Sequence, residues 1–275
     1  MTKTMNNSGI LIKTVISLSN MIREMNRKGI DLKRITKTAS LLICSGLSTN
    51  SIPAGITRRC LTEQREDGGW VSIADTMWNA YFLQLIGLQQ YKQQIEKAKT
   101  FLLTQINDHG LWGRSPRDIS RIPITGILFY FFPDLTNNDR LLLLEKLWES
   151  EKNSLTYKAA YILMAFKATR YTPEDKTLTG DTVEWLMENQ RPDGSFAPWK
   201  THPAASDVFC TSVAVLGLLQ YKESVLPETF EKSYNWLLSN RLPNGIWPFH
   251  EIEDGASWAL YALTQLLKHN LVSNG

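Results

Sequence analysis

Gln64-Arg-Glu-Asp-Gly68-Gly-Trp70 returns three times along the chain, as Gln105-Ile-Asn-Asp-His-Gly110-Leu-Trp112, Gln190-Arg-Pro-Asp-Gly194-Ser-Phe196 and Asn240-Arg-Leu-Pro-Asn-Gly245-Ile-Trp247. Each copy is an amide residue, a turn, a glycine and an aromatic two positions after that glycine. The aromatics are spaced 42 residues from Trp70 to Trp112, 84 from Trp112 to Phe196 and 51 from Phe196 to Trp247. A period of about 40 residues marks a repeat architecture, in which each unit is one supersecondary element stacked on its neighbours. The doubled interval leaves room for one more copy, and the degenerate stretch Ser150-Glu-Lys-Asn-Ser154 falls where it belongs.

The segments on either side of each motif differ. Ile95 to Gln105, Thr182 to Gln190 and Phe230 to Asn240 carry apolar residues at helical spacing and read as amphipathic outer helices. Thr76 to Leu88, Ile122 to Phe132, Leu155 to Lys167, Val208 to Leu219 and Ala256 to Leu267 are apolar on most faces and read as buried inner helices. The glycine supplies the unusual backbone angle after the outer helix, and Asp or Asn beside it favours the turn. The aromatic is expected to wedge between adjacent hairpins. Helices near Gly9 to Lys28 and Leu32 to Cys44 add a sixth hairpin. The predicted fold is therefore all-α, an (α/α)6 toroid of twelve helices in a single domain, with residues 1–50 completing a ring formed by residues 51–275. Its narrow end gathers the N-termini of the inner helices and the loops Phe196 to Ser206 and Trp247 to His250.

Bulk properties exclude other classes. A chain of 275 residues, 43% hydrophobic, is long enough for one large core. The net charge is only +3 and the basic residues are scattered, so no nucleic-acid footprint is visible. Cys44, Cys60 and Cys210 are odd in number and widely spaced, which argues against a disulfide framework and fits a reducing, cytoplasmic location. Lys13, Asn20 and Arg23 interrupt the apolar stretch near the N-terminus, which argues against a signal peptide.

These repeats resemble the QW motifs of squalene–hopene cyclases and other class II terpene cyclases, and the weaker repeats of protein prenyltransferase β subunits, over about residues 60 to 270. The hairpin is also similar to those of α-macroglobulin thioester domains and cobalamin carriers, but the thioester signature Gly-Cys-Gly-Glu-Gln is absent. The resemblance implies an apolar isoprenoid or lipid-like ligand in a central cavity. It also leaves room for peripheral membrane contact and for a second subunit.

Class II cyclases carry Asp-x-Asp-Asp-Thr-Ala at the start of one inner helix, where the middle Asp protonates an alkene or epoxide. Glu251-Ile-Glu253-Asp254-Gly255-Ala256 keeps three carboxylates in that spacing, Asp207-Val-Phe-Cys210-Thr211-Ser212 keeps the first Asp and the Thr, and Ser72-Ile-Ala-Asp75-Thr76 keeps the last Asp and the Thr. On this resemblance Glu253 is the general acid, hydrogen-bonded by Asp254 or Glu251. Crowded carboxylates suit the role because like charges hold one member neutral. The same three acids also suit the first turn of a helix, whose partial positive charge favours ionised groups. No cofactor is needed for such chemistry, and Mg2+ enters only where the substrate carries a diphosphate.

Ring-bearing candidates on the inner helices are Trp78, Tyr81, Phe82, Phe129, Tyr130, Tyr157, Tyr161, Phe209, Trp258 and Tyr261, whose π faces stabilise positive charge. Trp78 and Tyr81, and Trp258 and Tyr261, lie three apart and can share a helix face. Arg114, Arg117 and Arg121, with Lys200 and His202, are candidates for a diphosphate, or else form a solvated basic loop. Protein prenyltransferases suggest a second chemistry, zinc held by Asp207, Cys210 and His250, although the family's Asp-x-Cys spacing is broken here and no bound metal is expected. Three readings stay open: acid-initiated cyclisation, zinc-dependent prenyl transfer, and a non-catalytic toroid that binds a lipid, peptide or protein.

Overall fold

A computed structural model of the chain describes residues 8–203 and 207–272. The described residues form twelve α-helices and no strand, as the repeat predicts: α1 (Ser8–Arg27), α2 (Leu32–Cys44), α3 (Ala54–Glu63), α4 (Ile73–Gly87), α5 (Lys92–Thr104), α6 (Ile122–Phe131), α7 (Asn138–Glu151), α8 (Thr156–Thr169), α9 (Leu178–Glu188), α10 (Val208–Leu219), α11 (Pro227–Ser239) and α12 (Ile252–Lys268). The last three residues of the loop running to Ser206 lie outside the described residues.

The even-numbered helices are the apolar ones. Every residue of α10 except Phe209 is buried. Successive members α2, α4, α6, α8, α10 and α12 touch in turn, and α12 returns to α2, so the buried helices close on themselves. The odd-numbered helices lie outside: α7 rests on α6 and α8, α9 on α8 and α10, and α11 on α10 and α12. The first helix, α1, covers α2 and α12.

The recurring motif is the joint between one hairpin and the next. Gly68, Gly110, Gly194 and Gly245 all have positive φ, between 78° and 92°, a region that costs a side-chain-bearing residue steric strain. Space is a second constraint. A Cβ on Gly68 would stand 2.4 Å from the Lys97 carbonyl oxygen of α5, and one on Gly194 would stand 2.3 Å from that of Lys232 in α11. These two turns thus pack directly on the backbone of the next outer helix, while a Cβ on Gly110 would meet the Leu143 side chain of α7. The amide side chain ties the same junction: Gln64 Nε2 donates to Gly68 O and to Gln94 O of α5, and Gln190 Nε2 donates to Thr229 O and Ser233 Oγ of α11.

Trp70, Trp112, Phe196 and Trp247 are all buried. Each indole N–H is satisfied by a carbonyl ten residues earlier: Trp70 donates to Cys60 O, Trp112 to Leu102 O and Trp247 to Leu237 O. A threonine in the first turn of the following inner helix accepts the backbone N–H of the aromatic, at Thr76, Thr125 and Thr211. Two of these threonines lie in the segments that partly match the cyclase motif, and in both the hydroxyl locks the joint.

Ring closure uses the same device. A Cβ on Gly245 would stand 2.7 Å from Thr14 N of α1, and Thr14 Oγ1 donates to Gly245 O at 2.5 Å. The last joint therefore docks on the first helix. In the degenerate copy Asn153 takes the left-handed position, with φ 63°, as asparagine does where glycine is missing.

Candidate functional site at the N-terminal mouth

The inner helices start at one end of the ring. There α12 brings its acids against α2. Glu253 Oε1 accepts a hydrogen bond from Arg34 Nε at 2.6 Å, with the carboxylate only 5% exposed and the guanidinium 33%. Lys37 Nζ lies 2.6 Å from Asp254 Oδ1, with side chains 19% and 14% exposed. Glu251 stands just before the helix and caps it without a side-chain hydrogen bond. These groups line a cavity of about 180 Å3 together with Lys33, Thr38, Ala74 and Trp78. The Glu253 carboxylate beside Arg34 pushes the guanidinium pKa up, so this residue stays charged. Glu253 and Asp254 are thus each partnered by a cation of α2 rather than crowded on one another.

Lys37 also lies over two rings. Its Nζ is 5.4 Å from the Trp78 centroid and 5.9 Å from that of Trp258, within the range of a cation–π contact. The two indoles meet edge to face at 6.1 Å.

From this mouth a network of rings runs down the toroid. Phe131 is its hub, 5.0 Å from Trp78, stacked on Tyr81 at 3.9 Å and 5.1 Å from Tyr130. Tyr81 lies 6.3 Å from Trp78, and Tyr261 lies 6.4 Å from Trp258. Phe209 joins Trp258 to Tyr157 at 6.3 Å each. The hydroxyls of Tyr130 and Tyr261 meet at 3.0 Å, and Tyr81 OH lies 3.3 Å from Cys44 Sγ. Burial pushes the phenols of Tyr81, Tyr130, Tyr261 and Tyr161 up. For Tyr161 the Asp254 charge adds to burial in the same direction.

At the opposite end, where the inner helices finish, a second cavity of about 490 Å3 opens over Tyr130, Leu216, Leu219 and Tyr261, rimmed by Lys167, Lys222 and His269. The His269 pKa is lowered, first by burial and then by Lys222 and Lys268.

Other sequence candidates sit elsewhere. Phe129 packs against the wedge Trp112 at 5.8 Å, between hairpins rather than in the ring network, because a helix buried on all sides sends consecutive residues in different directions. Arg114 and Arg117 are exposed and line neither mouth. Their loop is organised by Asp118, which pairs with Arg121 and accepts the Arg114 backbone N–H. Lys200 Nζ donates to Glu188 O.

Asp207 is an N-cap, accepting the Cys210 N–H at 2.5 Å. Burial, then Asp207, pushes the Cys210 thiol up, away from the thiolate that zinc requires. His250 lies against Phe249. No group of three or more His, Cys, Asp or Glu that could hold a metal occurs among the described residues, and Asp207, Cys210 and His250 are not brought together as one. Asp75 belongs to the start of α4: its backbone N–H donates to the N-cap hydroxyl of Ser72, and that hydroxyl donates to the Asp75 carboxylate.

The sequence reading missed Arg34, Lys37 and Phe131. A signal existed for the first two: an otherwise buried inner helix carries Lys33, Arg34 and Lys37 close to its start. None existed for Phe131, since the run Tyr130-Phe131-Phe132 offers three rings and no periodicity to choose among them.

No helix among the described residues is long and apolar enough to cross a membrane. No family model matches the sequence, and no curated protein matches it. Solved structures do. The chain is similar to the type II terpene cyclase MstE from Scytonema in its apo form, at 13% identity over 93% of this chain and 99% of that one, with a TM-score of 0.69. A variant of that enzyme in complex with its substrate, geranylgeranyl dihydroxybenzoate, matches at 13% identity over 92% and 97%, with a TM-score of 0.68. The ent-copalyl diphosphate synthase of Streptomyces platensis matches at 14% identity and a TM-score of 0.59, over 86% of this chain and 49% of that one. What these proteins share with this chain is the helical toroid of type II terpene cyclases.

Proposed function

We propose that the protein acts on an isoprenoid as type II terpene cyclases do, starting cyclisation by proton transfer at the N-terminal mouth. The observation that carries this reading is the placing of Asp254: a largely buried carboxyl group at the head of a network of aromatic rings, in a fold shared with enzymes that cyclise prenyl chains. Asp254 is the donor, because its partner Lys37 lies over the faces of Trp78 and Trp258 while Glu253 is tied to Arg34. Glu253 is then a positioning residue that fixes α2 beside α12, and Glu251 borders the opening. A substrate entering the mouth displaces Lys37. That leaves the Asp254 carboxyl buried without its cation, and burial without a partner favours the neutral, proton-donating form. The rings then face the cation that forms.

The test is product formation from a panel of polyprenyl diphosphates and epoxides by the wild type, Asp254→Asn and Glu253→Gln, with melting measured alongside. Asp254→Asn is expected to fold and to lose turnover, whereas Glu253→Gln keeps a measurable fraction of it. Turnover retained by Asp254→Asn overturns the assignment.

One observation favours a second reading, a toroid that binds an apolar ligand without transforming it. Both acids are paired with cations, and the larger cavity, with its apolar floor, lies at the other end. Under that reading no protein in the panel turns over, and a prenyl alcohol binds to the wild type but loses affinity when Leu216 is replaced by a charged residue.

A further inference from the structure

We propose that Trp78, Trp258 and Asp254 form a recognition box for the positive centre of an organic ammonium ligand, and that Lys37 is its tethered occupant, displaced when such a ligand binds. Three elements build the box: Trp78 from α4, Trp258 and Asp254 from α12, and the lysine from α2. The ammonium is 2.6 Å from a carboxylate oxygen and 5.4 and 5.9 Å from two indole centroids. A surface ion pair needs no rings. Here the carboxylate supplies the counter-charge and two tryptophans, the side chains whose π faces attract cations best, supply the walls, which is the chemistry of aromatic cages for alkylammonium groups.

The occupant is built to leave. A lysine ammonium is a point charge on a flexible four-carbon stem, with no planar fork to lock it in place. The Lys37 side chain reaches its position from the rim of an open cavity and stays 19% exposed, so its head can swing into water without unfolding α2. Arg34 differs. Its Nε, one turn before Lys37 on the same helix, is committed to Glu253, so the seam between α2 and α12 remains tied when Lys37 moves.

The inference rests on the reading that this mouth handles positive charge, but its test needs no turnover. Choline is the probe, and 3,3-dimethylbutan-1-ol, its neutral counterpart of the same shape, is the control, each titrated calorimetrically into the wild type, Lys37→Met and Lys37→Gln. With the tether gone, choline is expected to bind at least tenfold more tightly than to the wild type. The neutral alcohol gains nothing, and Trp78→Leu added to Lys37→Met removes the gain. Equal choline affinity in the wild type and both variants overturns the proposal, as does an equal gain for the neutral alcohol. Unfolding of both variants also overturns it, because a displaceable occupant is not required by the fold. Failure of the cyclisation reading shows instead as absence of product, whatever choline does.

Discussion

The seams that α8 makes with α6 and α10 and the seam that α12 makes with α2 belong to one ring but are built by different means. At the first two, small residues let backbones approach. A Cβ on Gly126 would stand 3.0 Å from Tyr161 Cβ, and one on Gly217 would stand 2.6 Å from Ala160 Cα. The closing seam is instead bridged by Arg34–Glu253 and Lys37–Asp254, and Gln265 Nε2 reaches Cys44 O further down. Apolar seams gain from dispersion and excluded water at every contact and tolerate no added volume. A seam of ion pairs gives less net stability, since each charge gives up hydration to form it, but it fixes orientation and leaves charged groups beside a cavity. The ring is therefore closely packed where α8 meets its two neighbours, and chemically equipped where its first and last inner helices meet.

This contrast is sharpest in the wedges. Trp112 is fully buried, donates to Leu102 O and packs on Phe129. Trp112→Ala is expected to lower stability by about 3–5 kcal/mol, as large-to-small substitutions of buried aromatics do, and thermal or denaturant melting checks it. A loss under 1 kcal/mol would mean that the hairpins are held together by something other than the wedges.

Overpacking tests the apolar seam itself. Gly217→Ala places a methyl group against backbone rather than against a movable side-chain tip. It should cost about 1–3 kcal/mol in denaturant unfolding. A neutral result would show that α8 and α10 can slide apart, and the claim of a closely packed seam would fail.

At the closing seam the effect is smaller. A double-mutant cycle with Arg34→Met and Glu253→Gln should give a coupling of about 1–2 kcal/mol, limited by the partial exposure of the guanidinium. A coupling above that of the wedge substitution would reverse the ranking of the two kinds of seam.

The smallest effect is expected at the degenerate joint. Asn153 holds a left-handed backbone with φ 63°, so Asn153→Ala should cost about 1 kcal/mol, whereas Asn153→Gly should be close to neutral. Equal melting of the two variants would show that this joint does not depend on the backbone geometry of the four regular ones.

Most of the fold was legible before any coordinates. A glycine that must turn left-handed, an amide four or five residues before it and an aromatic two residues after it form a local pattern, and the period of the pattern counts the hairpins. Phe129 shows where such reading stops. On a helix buried on all faces, hydropathy no longer distinguishes the ring interior from the space between hairpins, so a residue expected in the interior packs on Trp112 instead.

The acids show a second limit. Glu251, Glu253 and Asp254 were visible as a cluster, but their partners were not, because Arg34 lies 219 residues from Glu253 in sequence. The sequence by itself determined the alternation of outer and inner helices, the joints and the number of hairpins, since each depends on residues within a few turns of one another. Only the tertiary structure decided that the bases of α2 meet the acids of α12, that Lys37 rests on Trp78 and Trp258, and that ring contacts connect the two mouths. Those facts follow from closing the ring, which brings the two ends of the chain together, and no local pattern encodes which side chains then face each other.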